Sequence, residues 1–279
     1  ETYVGYITHL ETHQLGIADE KKEGLQRLAD QITPGTPVVL KTIVTYTHRM
    51  SWAVQVLELL RAFLQPLWTF LKGQDANNHK DEYRTPPAIV RFCVQYIQIQ
   101  MRRTPTQTSE FRRPHPGTGA ADAAAKPPSK HGQDGRAGVG GWHGINPTSR
   151  WDVDWFMEPI TRERHAWAYH KDGDPQRMVA GCELYGDIRY TEYIGTRHPG
   201  TAGTHTASKN TDNKGNTYII SKHYTSKWPN AGLAMELTDR QLKYDLYLRV
   251  DHKDRSDNEW ADQLANQDDT GFDPKKRWV

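Results

Sequence analysis

The chain is predicted to be an α/β protein, with strands alternating with helices after a mainly helical region. Three observations predict this. RWDVDWFMEPI and KYDLYLRVD alternate apolar and polar residues with the period of a half-buried strand. DEKKEGLQRLADQI and SDNEWADQLANQ repeat apolar residues at helical spacing. From about residue 118 onward strand-like and helix-like segments take turns along the chain.

Residues 3–18 read as a hairpin: YVGYITHL is aromatic and β-branched, ETHQ turns and LGI returns. DEKKEGLQRLADQI follows as a helix, with Asp19 as its cap and Leu25, Leu28 and Ile32 on one face. PGTP at 34–37 stops it. Residues 38–60 carry a second helical pattern, Gln65-Pro66 interrupts the run, and LWTFLKG closes it. Residues 86–100 suit a helix or a strand. The Thr-, Pro- and Arg-rich stretch 101–118 suits a linker, as does 126–138. Between them GTGAADAAA reads as the end of a weakly written first strand. RWDVDWFMEPI is a later strand, with Trp151, Val153 and Trp155 on one face. A helix starts near Pro175 with Met178, Val179, Cys182 and Tyr185 toward its buried side. THTASKNTD, 204–212, is a strand of unusual polarity. Two helices, NKGNTYIISKH and WPNAGLAMELTDRQL, precede the strand KYDLYLRVD and the helix SDNEWADQLANQ. The tail is a loop that Phe272 or Trp278 pins.

Composition bounds the function. Net charge is only +2, from 36 basic and 34 acidic residues, so the sum does not announce nucleic-acid binding. Local clusters at Arg102-Arg103, Arg112-Arg113 and Lys275-Lys276-Arg277 matter more, and each also suits plain surface solvation. Nine tryptophans and thirteen tyrosines can stack on bases, but filling a core is the commoner use. Cys93 and Cys182 have neither zinc spacing nor a disulfide framework, which fits reduced thiols in an intracellular protein, nucleus or cytoplasm being left open. No stretch is apolar for long enough to cross a membrane. The chain starts without Met in strand-like sequence, so a fragment or a piece of a longer polyprotein is expected.

Four acids carry the chemistry: Asp122 in GAADAAA, Glu183 in GCELYG, Asp212 in NTDNKGN and Asp262 in DNEWADQLA. Carboxylate clusters bind hard divalent cations, and a pair of such cations can activate water and steady the leaving oxygen of a phosphodiester. Each acid also has a plain structural explanation. Asp122 suits a surface loop, Glu183 a solvent-facing helix position and Asp212 a helix cap, which one rotamer cannot easily combine with metal binding. Asp262 faces an uncertain side of its helix. GVGG is too short and wrongly placed for a phosphate loop.

Residues 115–279 resemble the ribonuclease H domain that ends the reverse transcriptase of retroelements, especially tyrosine-recombinase-type and related protist elements. The resemblance rests on Asp122-Ala123, Glu183-Leu184, Thr211-Asp212-Asn213 and the N-E-x-x-D motif of Asn258 to Asp262, and on the order of strands and helices. It implies a ribonuclease H-like mixed five-stranded sheet flanked by helices over 111–279. It implies that Asp122, Glu183, Asp212 and Asp262 are the catalytic, metal-binding residues. Magnesium is the implied cofactor, with manganese as the alternative. One cation, on Asp122, Asp212 and Asp262, would activate water. The other, between Asp122 and Glu183, would stabilise the departing 3′ oxygen. The implied partner is an RNA–DNA hybrid or other nucleic acid. Asn213, Arg249, His252, Lys253 and Arg255 are candidates for substrate contact, with His252 also suited to proton donation or product release. Residues 1–18 resemble a primer-grip hairpin and 19–110 a thumb and connection region. The aromatic-x-Asp-Asp polymerase motif is absent, so the missing polymerase portion is a further expected partner. A catalytically inactive nucleic-acid-binding or ribonucleoprotein assembly protein of this fold is the alternative.

Overall fold

The computed structural model describes residues 2, 3, 5–9, 11, 14–103, 106–108, 113–129, 135–197, 205–254 and 258–278. The chain divides into two compact units, Glu1–Arg112 with His223–Ser226, and Arg113–Lys222 with Lys227–Val279.

In the first unit, strands Tyr6–His9 and Gln14–Ile17 pair antiparallel, flanked by Thr2–Tyr3 and Thr106–Thr108. Helices Asp19–Ile32, Leu40–Ala53, Gln65–Gly73 and Ala88–Arg103 bury Leu25, Ile32, Ile43, Tyr46, Leu67, Val94 and Ile97. Four expectations change here. Asp19 is the first helical residue and Ala18 holds the cap position; the Asp19 carboxylate pairs with Lys22 at 3.1 Å. The pattern at 38–60 is one helix that ends at Ala53, followed by a 3-10 helix, Glu58–Leu64. Gln65-Pro66 opens a helix, because a proline in the first turn gives up an N–H that has no partner there anyway. The supposed linker begins late: Met101–Arg103 finish a helix and Thr106–Thr108 join the sheet.

The second unit is built on a mixed sheet. Its strands are β1 (Thr118–Lys126), β2 (Arg136–Gly144), β3 (Asp154–Ile160), β4 (His205–Thr211) and β5 (Leu246–His252), in the order β3-β2-β1-β4-β5. β2 runs antiparallel to both β3 and β1, whereas β4 is parallel to β1 and to β5. The short strand Arg113–Pro114 extends the β1 side of β4. Helix α1 (Val179–Arg197) connects β3 to β4, α2 (Lys214–Lys222) and α3 (Asn230–Lys243) connect β4 to β5, and α4 (Glu259–Ala265) follows β5. No helix among the described residues is long and apolar enough to cross a membrane.

The small residues of β1 and β2 explain why this sheet was weakly written. A Cβ at Gly140 would lie 2.4 Å from the Leu264 backbone, so only glycine lets α4 lie directly on β2. GVGG is therefore a packing surface for a helix. Val153, Trp155, Leu264 and Phe272 form a buried cluster against which Trp142, Met157 and Trp260 pack. Burying each of the first, third and fourth is worth about 1.5–3 kcal/mol. Trp155 Nε1 donates to the Asp273 carbonyl at 2.8 Å and Trp278 N to the Trp155 carbonyl at 2.7 Å, which holds the tail.

Trp151 does not share the face of Val153 and Trp155. It is exposed in the 3-10 turn Arg150–Asp152, where Ser149 and Asp152 close a capping box, and β3 starts only at Asp154. A 3-10 turn at Gln176–Met178 likewise delays α1 to Val179. The polar β4 buries alternate residues, His205, Ala207, Lys209 and Thr211. Lys209 is tolerated inside because its ammonium contacts Asp187 of α1 in a buried ion pair and donates to the Ala121 carbonyl at 3.3 Å.

Candidate metal centre

The ladder brings the acids together. In the parallel pairing of β4 with β1, Lys209 lies opposite Gly119 and Asn210 opposite Ala120. Carried two residues on, that register sets Asp212, just past the end of β4, level with Asp122. Helix α1 packs over β1 and delivers Glu183 from its second turn. One carboxylate oxygen from each of Asp122, Glu183 and Asp212 lies within 4.8 Å of the others. Among the described residues this is the one group of three or more potential metal ligands. Asp262, in the first turn of α4, is outside that triad but lines the same cleft of about 370 Å³, as do Gln176 and Asn266.

The carboxylates are held by amides. Asp122 Oδ1 accepts from the Ala123 N–H at 2.7 Å, and Oδ2 from Asn258 Nδ2 at 2.9 Å. Glu183 Oε2 accepts from Asn216 Nδ2 at 3.2 Å. Asn213 Oδ1 accepts from the N–H groups of Gly215 and Asn216, so Asn213 and not Asp212 caps α2. That division of labour leaves the Asp212 carboxylate to the cluster. The Asn213 side chain also favours the charged form of Glu183.

The remaining candidates stand apart. His252 ends β5, and its Nε2 lies 3.2 Å from the Asp212 carbonyl oxygen. Lys253 is exposed and donates its backbone N–H to Thr211. Arg249 is exposed and pairs with Asp251 at 3.6 Å. None of these three lines the cleft. Arg255 lies outside the described residues. Sequence reasoning gave no role to Asn216, Asn258, Lys209 or Asp187. The one available signal was Lys209 itself, a charge at a core position of an alternating strand.

The electrostatics follow from crowding and burial. Burial pushes the Asp122 carboxyl up to about 7; the charges of Asp212 and Asp262 add to this, against the Ala123 N–H and the Lys209 ammonium. Burial also pushes Glu183 up to about 8, helped by Asp122, Asp212 and Asp187 and opposed by the Asn213 side chain. The donor set is oxygen only, and the buried amide oxygens of Asn216 and Asn258 beside it have no hydrogen-bond donor. Such a set fits a hard divalent cation, which would relieve the repulsion that otherwise holds protons on the site.

No family model matches the chain, and no curated protein matches it. Solved structures do. The ribonuclease H1 of the halophilic archaeon Halobacterium salinarum is 16% identical over 55% of this chain and 96% of its own, with a TM-score of 0.38. The LC11 ribonuclease H1, solved with an RNA/DNA hybrid, is 14% identical over 55% of this chain and 95% of its own, at 0.40. The prototype foamy virus protease-reverse transcriptase is 16% identical over 69% of this chain and 28% of its own, at 0.38. The second unit is ribonuclease H-like in fold, as the order and directions of its own strands establish.

Proposed function

We propose that this chain hydrolyses the RNA strand of RNA–DNA hybrids. The observation that carries the proposal is the buried approach of Asp122, Glu183 and Asp212 within 4.8 Å, with Asp262 on the same cleft. These four residues would hold divalent cations, magnesium or manganese, which when bound supply an activated water and charge neutralisation at the leaving oxygen. The chain's own residues do the positioning. Asn258 and the Ala123 N–H fix Asp122, and Asn216 fixes Glu183. His252, next to the Asp212 backbone, would pass a proton to the departing 3′ oxygen or assist product release. RNA would be told from DNA by contacts to its 2′-hydroxyls. We further propose that the chain belongs to a retroelement reverse transcriptase, in which 1–18 is a primer-grip-like hairpin, 19–110 a thumb and connection region, and 111–279 the nuclease, working with a polymerase portion.

Incubation with a labelled hybrid tests the proposal. The chain should cut only RNA, and only with magnesium or manganese, leaving a 5′ phosphate and a 3′ hydroxyl. Asp212→Asn should stop cutting while the fold persists. A chain that binds hybrid with magnesium and never cuts it, in isolation or joined to its polymerase portion, would instead be the catalytically inactive binding protein.

A further inference from the structure

Lys126 and Arg136 face each other directly across the β1–β2 ladder. Both are exposed, and among the described residues neither has an acidic partner. Like charges opposite one another on a sheet repel, so the pair is not explained by the stability of the ladder. Its place in the sheet suggests another reason. Alternate residues share a face, so Asp122, Ala124 and Lys126 line up on β1, opposite Gly140, Gly138 and Arg136 on β2. The row runs from a carboxylate, past residues with almost no side chain, to two cations. Ala124, Lys126 and Arg136 line a cleft of about 180 Å³, walled by Asn266 and Gln267 at the end of α4. Ala124 and Asn266 also line the carboxylate cleft, so the two clefts adjoin along the edge of α4. Four residues of strand span roughly 13 Å.

We propose that Lys126 and Arg136 clamp a phosphate of the strand being cut, a few nucleotides from the phosphodiester at the carboxylates. They are positioning residues, and the inference rests on the nuclease reading. An occupant of both clefts must offer anions at each end and slender units between them, and a repeating polyanion such as a nucleic-acid strand does this. The small Ala124 leaves the floor open for the sugar. Lys126 and Arg136 supply charge and, from Arg136, a planar fork matched to phosphate oxygens.

The test measures binding without cutting. In an Asp212→Asn background, a fluorescent RNA–DNA hybrid is titrated at several salt concentrations, with and without Lys126→Gln/Arg136→Gln. Removing the pair should weaken binding roughly tenfold and lower the slope of log affinity against log salt by about 0.8, for one phosphate no longer neutralised. In the cutting-competent chain KM should rise while kcat stays within about twofold, the sign of lost uniform binding. Arg136→Glu is the second variant: it turns the repulsion into an ion pair, so it should melt no lower than the parent and bind as poorly as the double variant. An unchanged salt slope overturns the clamp, as does a parent that binds no hybrid. A lowered slope in a chain whose wild type never cuts upholds the clamp and removes the nuclease.

Discussion

Asn258 Nδ2 donates to Asp122 Oδ2 at 2.9 Å, across 136 positions of the chain. Asn258 stands immediately before α4, and its own Oδ1 is buried without a donor. One amide thus ties the entrance of the last helix to the carboxylate at the centre of the sheet. Groups of this kind, which orient a metal ligand without being one, typically govern cation affinity.

Asn258→Ala should therefore lower magnesium affinity by about 10–100-fold while the circular dichroism spectrum stays that of the parent. Calorimetric titration measures this. An affinity equal to the parent's would remove Asn258 from the site.

The pH dependence of stability has a definite sign. Asp122 and Glu183 are raised in the folded chain to about 7 and about 8, so between the ordinary carboxylate range and those values the folded state holds more protons than the unfolded state. Without divalent cations this contribution to stability is present at low pH, declines from about pH 4 to about pH 8, and is level above that. Denaturant midpoints in chelator should show the decline when the parent is compared with Asp122→Asn/Glu183→Gln. Saturating magnesium should flatten it. A parent and variant that track each other across the window would contradict the crowding described here.

The buried Lys209–Asp187 pair holds β4 to α1 beneath the carboxylates. Lys209→Met should destabilise the fold by about 3–5 kcal/mol, because it strands a buried charge. Lys209→Met/Asp187→Leu should recover most of that loss. Urea denaturation separates the two, and a double variant no better than the single would show that the pair is not coupled.

Two glycines near the site should respond in opposite ways. Gly140→Ala drives a methyl into the Leu264 backbone and should cost about 1–3 kcal/mol, with lower cation affinity because α4 carries Asp262. At Gly186 the nearest atom to a new Cβ is the Asp122 carbonyl oxygen at 3.5 Å, an ordinary contact. Gly186→Ala should be tolerated, or stabilising by about 0.5–1 kcal/mol through helix propensity. Thermal melts of the two variants decide it.

By itself the sequence determined the local structure of segments whose side-chain period was strong. β5 and α4 were legible because apolar residues recur every second or every third to fourth position. It also singled out Asp122, Glu183, Asp212 and Asp262 through their local motifs. Where the period was diluted, reading stopped. β1 is mostly alanine and glycine, β4 is polar, and the Trp151 turn copies a strand's alternation with a capping box in its midst. Tertiary structure alone decided the parallel register that levels Asp212 with Asp122, the burial of Lys209 against Asp187, and the amides that hold the carboxylates. The physical reason is that a motif is local, whereas register, desolvation and charge pairing depend on distances between residues far apart in the chain. Asp212 illustrates both sides: its sequence suited a metal ligand and also a helix cap, and in the folded chain the neighbouring Asn213 holds the cap while Asn216 ties α2 to the Ala180 carbonyl of α1.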